Sequence, residues 1–421
     1  MARVPCLERT FRRNSRGPMR QKTQSILIIS LSDFDREPRV ARQVDSLSRD
    51  HEVISAGYIP ESLESPQSLD LRSTFFPTWG MGSLRNKLAI VFSGRDFFKG
   101  FGILLIKAFA GMKRPFGLAD LVFNRLMIRD LVARLKSIEA DLIIANDLTA
   151  LPLAVASKGN SRILYDAHEY SPGQQPATRQ GRHRNAWASY QMRKYLPYVD
   201  RMTTVCDGIA DEYTKSFHVS RPEVIVNAVP FQDLKPVERS DGKILLVHHG
   251  ISAPLRKIEE TIKAMCLLDE RFELHLYLVQ TDLGYHSYLV NLAKGNERIV
   301  FHEPVPMSMI PATLNRYDIG IAMFPPVTFN LKHVLPNKFF EFIQARLAVA
   351  IGPSPEMEAY VEKYHLGLIA ADFTADALAE GLSALTLSDV ASYKKNAGLH
   401  AMELSAGTVM DRFKEIVREL L

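Results

Sequence analysis

Only three cysteines, Cys6, Cys206 and Cys266, occur in the 421 residues, far apart and with no CxxC pair or Cys/His cluster. That argues against a disulfide framework and a structural zinc site, and it suits a reducing cytosol. Two nucleotide motifs are also missing. Neither a GxxxxGK[ST] phosphate loop nor a GxGxxG fingerprint is present, so a nucleoside triphosphatase or a nicotinamide enzyme has little support. The charge-free stretch from Gly100 to Ile106 falls far short of the roughly 18 apolar residues a bilayer-spanning helix needs. Nor do the first 22 residues contain the apolar segment of a secretory signal.

What is present begins with a charge asymmetry. Residues 1–22 carry seven Arg/Lys against Glu8, a net of +6, whereas the whole chain is +5. The basic balance therefore lies in this tail, which reads as a disordered leader or as an over-extended start with Met19 as the initiator. Eleven Arg/Lys recur between Arg85 and Lys136, interleaved with Phe97, Phe98, Phe101, Leu104 and Leu105. Such a basic, apolar segment can lie on an anionic leaflet, or form a helix pair packed on the first domain. No nucleic-acid partner is expected.

With 46% hydrophobic residues, the chain is long enough for two cores. Short continuous apolar runs, the mark of buried parallel strands, alternate with helical patterns. They occur at 25–30, 52–56, 141–145, 162–165, 201–205 and from Val224 to Pro230, then again at 243–250, 273–279, 299–302, 319–323 and 348–352. The pattern predicts an α/β protein of two Rossmann-like, doubly wound domains facing a cleft. The tail covers 1–24, the domains 25–235 and 236–405, and a last helix over 406–421 is expected to pack back on the first domain.

Within this frame, Leu335–Ala345 places Asn337, Lys338 and Glu341 at the start of an apolar helix, with Pro336 as its first residue. Held on a buried helix near its positive end, such a trio can bind an anion; the alternative is an amphipathic helix with a solvated Lys–Glu face. Gly250 opens a strand-to-helix loop in which Arg256 and Lys257 can meet a diphosphate, although Arg256 could also be a surface cation. Asp166, His168 and Glu169 follow a buried strand, where side chains should reach the cleft. His168 can act near neutral pH, with either carboxylate orienting it, or Asp166 can be a cap. Asp147 reads mainly as an N-cap. Asp33, Asp35, Arg36 and Arg39 would face the same cleft. His183 and Arg179, Arg182 and Arg184 fall in what reads as a polar loop from Ser171 to Ala186.

These pieces resemble, in order and spacing, the retaining family 4 glycosyltransferases of GT-B architecture. The resemblance covers about residues 25–415 and rests on Tyr165-Asp166-Ala167-His168-Glu169, the Gly250–Lys257 loop and Leu335–Glu341. It implies a retaining transferase; with cations and no DxD-type carboxylate pair at the proposed diphosphate site, it is expected to be metal-independent and to need no cofactor. A nucleotide-sugar would bind the second domain and a glycan acceptor the first; the two basic zones in or just ahead of that domain point to a lipid-linked acceptor in polysaccharide synthesis, met by a cytoplasmic protein peripheral to the inner leaflet. Arg256 would pair with the diphosphate, Lys338 would support it and Glu341 would accept from the ribose hydroxyls. Three positions depart from the family pattern. His333 stands eight residues before Glu341 in place of a glutamate, Ile251 replaces an arginine after the loop glycine, and Asn146 replaces a histidine. Asn330 or Asn337 would then take over sugar contact, and Lys257 or Lys338 would supply the missing cation. Two alternatives remain at this level: a GT-B nucleotide-sugar epimerase, and a catalytically silent binding protein of a polysaccharide-assembly complex.

Overall fold

The computed structural model describes residues 24–33, 37–58, 68–70 and 128–421. The basic tail, most of the Arg85–Lys136 zone with its phenylalanines, Asp35, Arg36 and the side chain of Asp33 lie outside these residues.

The first sheet contains β1 (Ser25–Asp33), β2 (Glu52–Tyr58), β3 (Ser68–Asp70), β4 (Leu142–Asn146), β5 (Arg162–Ala167), β6 (Arg201–Thr204) and β7 (Glu223–Val224). The second contains β8 (Ile244–Ile251), β9 (Phe272–Val279), β10 (Ile299–His302), β11 (Ile319–Ala322), β12 (Ala348–Ile351) and β13 (Gly367–Ile369). Among the described residues their orders are β3-β2-β1-β4-β5-β6-β7 and β10-β9-β8-β11-β12-β13, with parallel pairing throughout. Helices cover both faces of such sheets, which is why β4 and β12 are buried along their whole length. In each sheet the order reverses between β1 and β4 or between β8 and β11, and a crevice opens there at the carboxyl ends.

Two local features differ from the sequence-based expectation. The run Val224–Pro230 joins the ladder only through Val224 and the N–H of Ile225, which donates to Thr204 O at 2.8 Å. Beyond it, Ile225 O accepts from Arg39 Nη1 at 2.6 Å and Asn227 Oδ1 from Arg42 Nη2 at 2.7 Å, so side chains replace strand partners. The supposed loop with His183 is largely a helix, Arg179–Tyr195, started by Thr178 accepting from Gly181 N. Its inner face is small and mixed, with Gly181, Ala188, Gln191, Met192 and Tyr195 buried, and this hides the apolar period.

The chain passes from β7 to β8 through residues 225–243 and returns at its end. The helix Ala406–Leu420 sets Met410, Phe413, Ile416, Val417 and Leu420 against Ile26 and Ile28 of the first sheet and Val40 of the helix Pro38–Leu47. Arg201 pairs with Glu419, and Arg162 Nη1 donates to Leu420 O at 3.1 Å, which fixes the helix end. Between the domains, the Tyr170 ring lies 4.9 Å from Phe329, and a Cβ on Gly173 would come within 2.6 Å of Phe329 Cβ. Gly208 is confined further: an added Cβ would lie 2.0 Å from His333 Nδ1 and 2.5 Å from Glu356 Oε1. Its N–H donates to Glu356 Oε1 at 2.9 Å.

Candidate active site

A cleft of about 680 Å³ lies between the carboxyl ends of the two sheets and is lined from both domains. On the second-domain side, next to the end of β8, Gly250 has φ +117°, a conformation that needs glycine; a Cβ would also lie 3.4 Å from Lys338 Nζ. The next turn, Pro254–Arg256, brings the Arg256 guanidinium 4.9 Å from the centre of the Phe324 ring. Lys338 Nζ lies 5.2 Å from the same ring. One aromatic ring thus has two cations against it, and among the described residues neither is ion-paired with a carboxylate.

Lys338 and Glu341 sit on the helix Asn337–Gln344, whose Phe339, Phe340, Phe342 and Ile343 are fully buried. Pro336 caps this helix from outside instead of beginning it, since its ψ of 157° is extended. Burial, then the nearby Arg256 charge, pushes the Lys338 ammonium down to about 7, against the pull of Glu341. Burial likewise pushes Glu341 up to about 7, against Lys338 and Arg42. His249 Nε2 lies 3.3 Å from Glu341 Oε2 but is not aligned for a hydrogen bond. Asn337 lines the cleft, and its Oδ1 is buried without a protein donor.

Of two residues proposed from sequence for donor contact, Asn330 lines the cleft and Lys257 does not. Lys257, at φ +52°, starts the helix Ile258–Ala264; its Nζ turns to Glu259 Oε1 at 3.4 Å and does not line the cleft. Asn330 spends both ends of its amide on the first domain, accepting from Tyr170 N at 3.0 Å and donating to Glu169 Oε2 at 3.2 Å. His333 lines the cleft, with Nδ1 2.9 Å from Glu356 Oε1.

The first-domain wall centres on His168. Its Nε2 lies 3.1 Å from Asn146 Oδ1 and 3.4 Å from Asp166 Oδ2; its Nδ1 lies 3.3 Å from Asp147 Oδ2 and 3.7 Å from Glu37 Oε2. Burial disfavours the charged ring, but Asp147 and then Asp166 outweigh it, so the pKa is raised. Acceptors at both nitrogens favour the protonated ring. Asp147 has φ +62° and does not cap its helix. Its Oδ1 accepts from His168 N at 3.0 Å.

Asp166 does not reach the cleft. It is fully buried, with its oxygens 2.7 Å from Arg39 Nε and Nη2, 2.7 Å from Thr203 Oγ1 and 2.6 Å from Gln43 Nε2. Burial alone would raise its pKa, but Arg39 overrides this and holds the carboxyl well below the usual range. Arg39, expected at the cleft, is 3% exposed for the same reason. Glu169 remains open to the cleft, and burial of its surroundings followed by the Asp147 charge raises its pKa.

The motifs did not single out His249 and Phe324, which line the cleft, nor Arg42, whose charge acts on Glu341, nor His248, which touches Lys338. The sequence signal available was His248-His249, two polar residues closing an otherwise apolar strand. Among the described residues, no group of three or more His, Cys, Asp or Glu side chains is arranged to hold a metal ion. No helix there is long and apolar enough to cross a membrane.

Two parallel α/β domains with their carboxyl ends on one cleft define the GT-B architecture, and solved structures share it. Sucrose-phosphate synthase from Thermosynechococcus elongatus superposes with a TM-score of 0.66 at 14% identity, covering 94% of this chain and 99% of that one. The lipopolysaccharide outer core galactosyltransferase WaaB, in apo form, gives 0.62 at 9% identity over 94% and 100%. HepE of Anabaena, in complex with UDP and glucose, gives 0.62 at 13% identity over 94% and 100%. No curated protein matches by sequence. Residues 102–233 match Glycosyltransferase Family 4, and this match together with the fold supports a family 4 glycosyltransferase of GT-B architecture.

Proposed function

We propose that the protein transfers a sugar, with retention, from a nucleoside diphosphate sugar in the second domain to a glycan acceptor at the first. The observation that carries this is Arg256 and Lys338 against one Phe324 ring, with Lys338 beside Gly250 and one helical turn from Glu341. Breaking the bond from the anomeric carbon to phosphate leaves an oxocarbenium-like sugar and a more negative diphosphate. Cations already in position stabilise that charge as it grows, with no reorganisation at the moment of reaction. Their supply by side chains is the ground for metal independence and for a reaction without a cofactor. Glu341 takes the ribose hydroxyls, and Asn337 and His333 lie within the same cleft for the sugar. On the other wall His168, braced as a cation by carboxylates, orients substrate and does not remove a proton. The departing phosphate, on the leaving-group face, takes the acceptor proton instead, which is consistent with retention.

UDP is the first nucleotide to test, because HepE is solved with UDP and glucose. A lipid-linked acceptor at an inner leaflet is supported by the likeness to WaaB and by the basic, phenylalanine-rich segment from Arg85. Incubation with a panel of UDP-sugars, following released UDP with and without lipid-linked glycans, tests the function. Acceptor-dependent release that persists in EDTA is the expected result. Sugar interconversion without acceptor would point to an epimerase, and tight binding without turnover to a silent binding protein. Cosedimentation with anionic liposomes that weakens as salt rises tests the membrane reading; equal binding to neutral vesicles would refute it.

A further inference from the structure

His248 lies in the carboxyl half of β8, behind Lys338, and is 2% exposed. Its Nδ1 lies 3.0 Å from Ile321 O on the neighbouring β11, and its Nε2 lies 3.2 Å from Lys338 Nζ. A carbonyl oxygen can only accept and an ammonium can only donate. The arrangement therefore requires one tautomer, a neutral ring with the proton on Nδ1 and a lone pair on Nε2.

We propose that His248 is a positioning residue: its neutral imidazole holds Lys338 Nζ at the cleft wall, beside Gly250 and the Phe324 ring, ready for an arriving phosphoryl group. This rests on the reading of the cleft as a diphosphate site. The chemistry explains why a histidine suits the place. A carboxylate would pair permanently with Lys338 and compete with the phosphate, whereas an apolar side chain would leave the buried ammonium without an acceptor.

The other charged or titratable groups around Lys338 are His249 on the same strand, Arg256 across Phe324 and Glu341 one turn along the helix. Arg42 of the first domain acts on Glu341, and Glu169 acts on Arg256. Burial, followed by the Lys338 charge, holds His248 well below its ordinary value, so it stays neutral through the working range. Burial and Arg256 bring Lys338 down to about 7. Above that pH the empty site is largely an amine. A bound diphosphate favours the ammonium and draws a proton from solution.

The test is calorimetric titration of the full chain with UDP from pH 6 to 9, in two buffers of different ionisation enthalpy. Wild type should take up protons on binding UDP above pH 7. His248→Asn keeps an N–H for Ile321 but offers nothing at Nε2. It should lose about tenfold in UDP affinity at pH 8, the value of one charged hydrogen bond, and less at pH 6. His248→Gln places an amide oxygen near the Nε2 position and should recover most of that loss. Equal affinity of wild type and His248→Asn at every pH would overturn the proposal, as would a Gln variant that folds but binds no better than Asn. Wild type that binds no nucleoside diphosphate would remove the diphosphate reading itself, and the proposal with it.

Discussion

Replacing Asp166 by asparagine separates two roles that a carboxylate beside His168 could have. The substitution keeps the shape but removes the charge that holds Arg39, itself 3% exposed. Breaking one side of a buried ion pair leaves the other charge uncompensated and costs about 3–5 kcal/mol. In a domain of this size each kcal/mol moves the melting temperature by about 2–4 °C, so Asp166→Asn should lower the first-domain transition by about 6–20 °C. The pH dependence has a definite sign. The carboxyl pKa is depressed in the folded state, so its contribution is present above the unfolded value of about 3.9 and is lost as pH falls toward the folded one. The difference between wild type and variant should therefore shrink below about pH 4. Melting followed by circular dichroism, with turnover measured well below the transition, decides the matter. Unchanged melting together with a kcat reduced by orders of magnitude would refute the argument and return Asp166 to the reacting atoms.

Three further outcomes follow from the geometry. Gly208→Ala would drive a Cβ to 2.0 Å from His333 Nδ1, so it should destabilise the domain contact by about 1–3 kcal/mol and expand the molecule in small-angle scattering; an unchanged radius and melting point would contradict it. Lys338→Met removes an ammonium that burial brings to about 7, so stability at neutral pH should rise while UDP affinity falls. The gain should shrink from pH 7 toward 10.5: a group with a depressed cationic pKa costs wild-type stability below the folded value, and the cost disappears once the unfolded form also loses its proton. Arg256→Ala should lower kcat by roughly ten- to a hundredfold with modest change in donor binding, because leaving-group charge grows toward the transition state; a normal rate at saturating donor would take Arg256 out of the reaction.

The sheets were legible because buried parallel strands are continuous apolar runs: 299–302 coincides with β10, and the other strong runs differ from the observed strands by a few residues. Lys338 and Glu341 were legible as polar residues interrupting a run of phenylalanines. What sequence does not show is which partner a charge has. Arg39 and Asp166 are 127 positions apart, and only the pairing of β4 with β1 and β5 brings them together. Lys257 and Arg256 are neighbours of equal charge, yet a left-handed backbone at Lys257 sends one side chain to Glu259 and the other into the cleft. The helix Arg179–Tyr195 was hidden for a different reason. Its buried face opens with Gly181, Ala188 and Gln191 and gains large apolar residues, Met192 and Tyr195, only near its end, too late to set a period.

The returning helix Ala406–Leu420 has a consequence for biosynthesis. One face of the first sheet, including Ile26, Ile28 and Leu142, shares its core with Phe413 and Val417. While the ribosome makes the second domain, at ~5–20 residues per second, that face waits about 10–40 s for its cover. The amino-terminal half therefore cannot complete its fold as it emerges, and a chaperone has longest access to an apolar sheet whose partner is still untranslated.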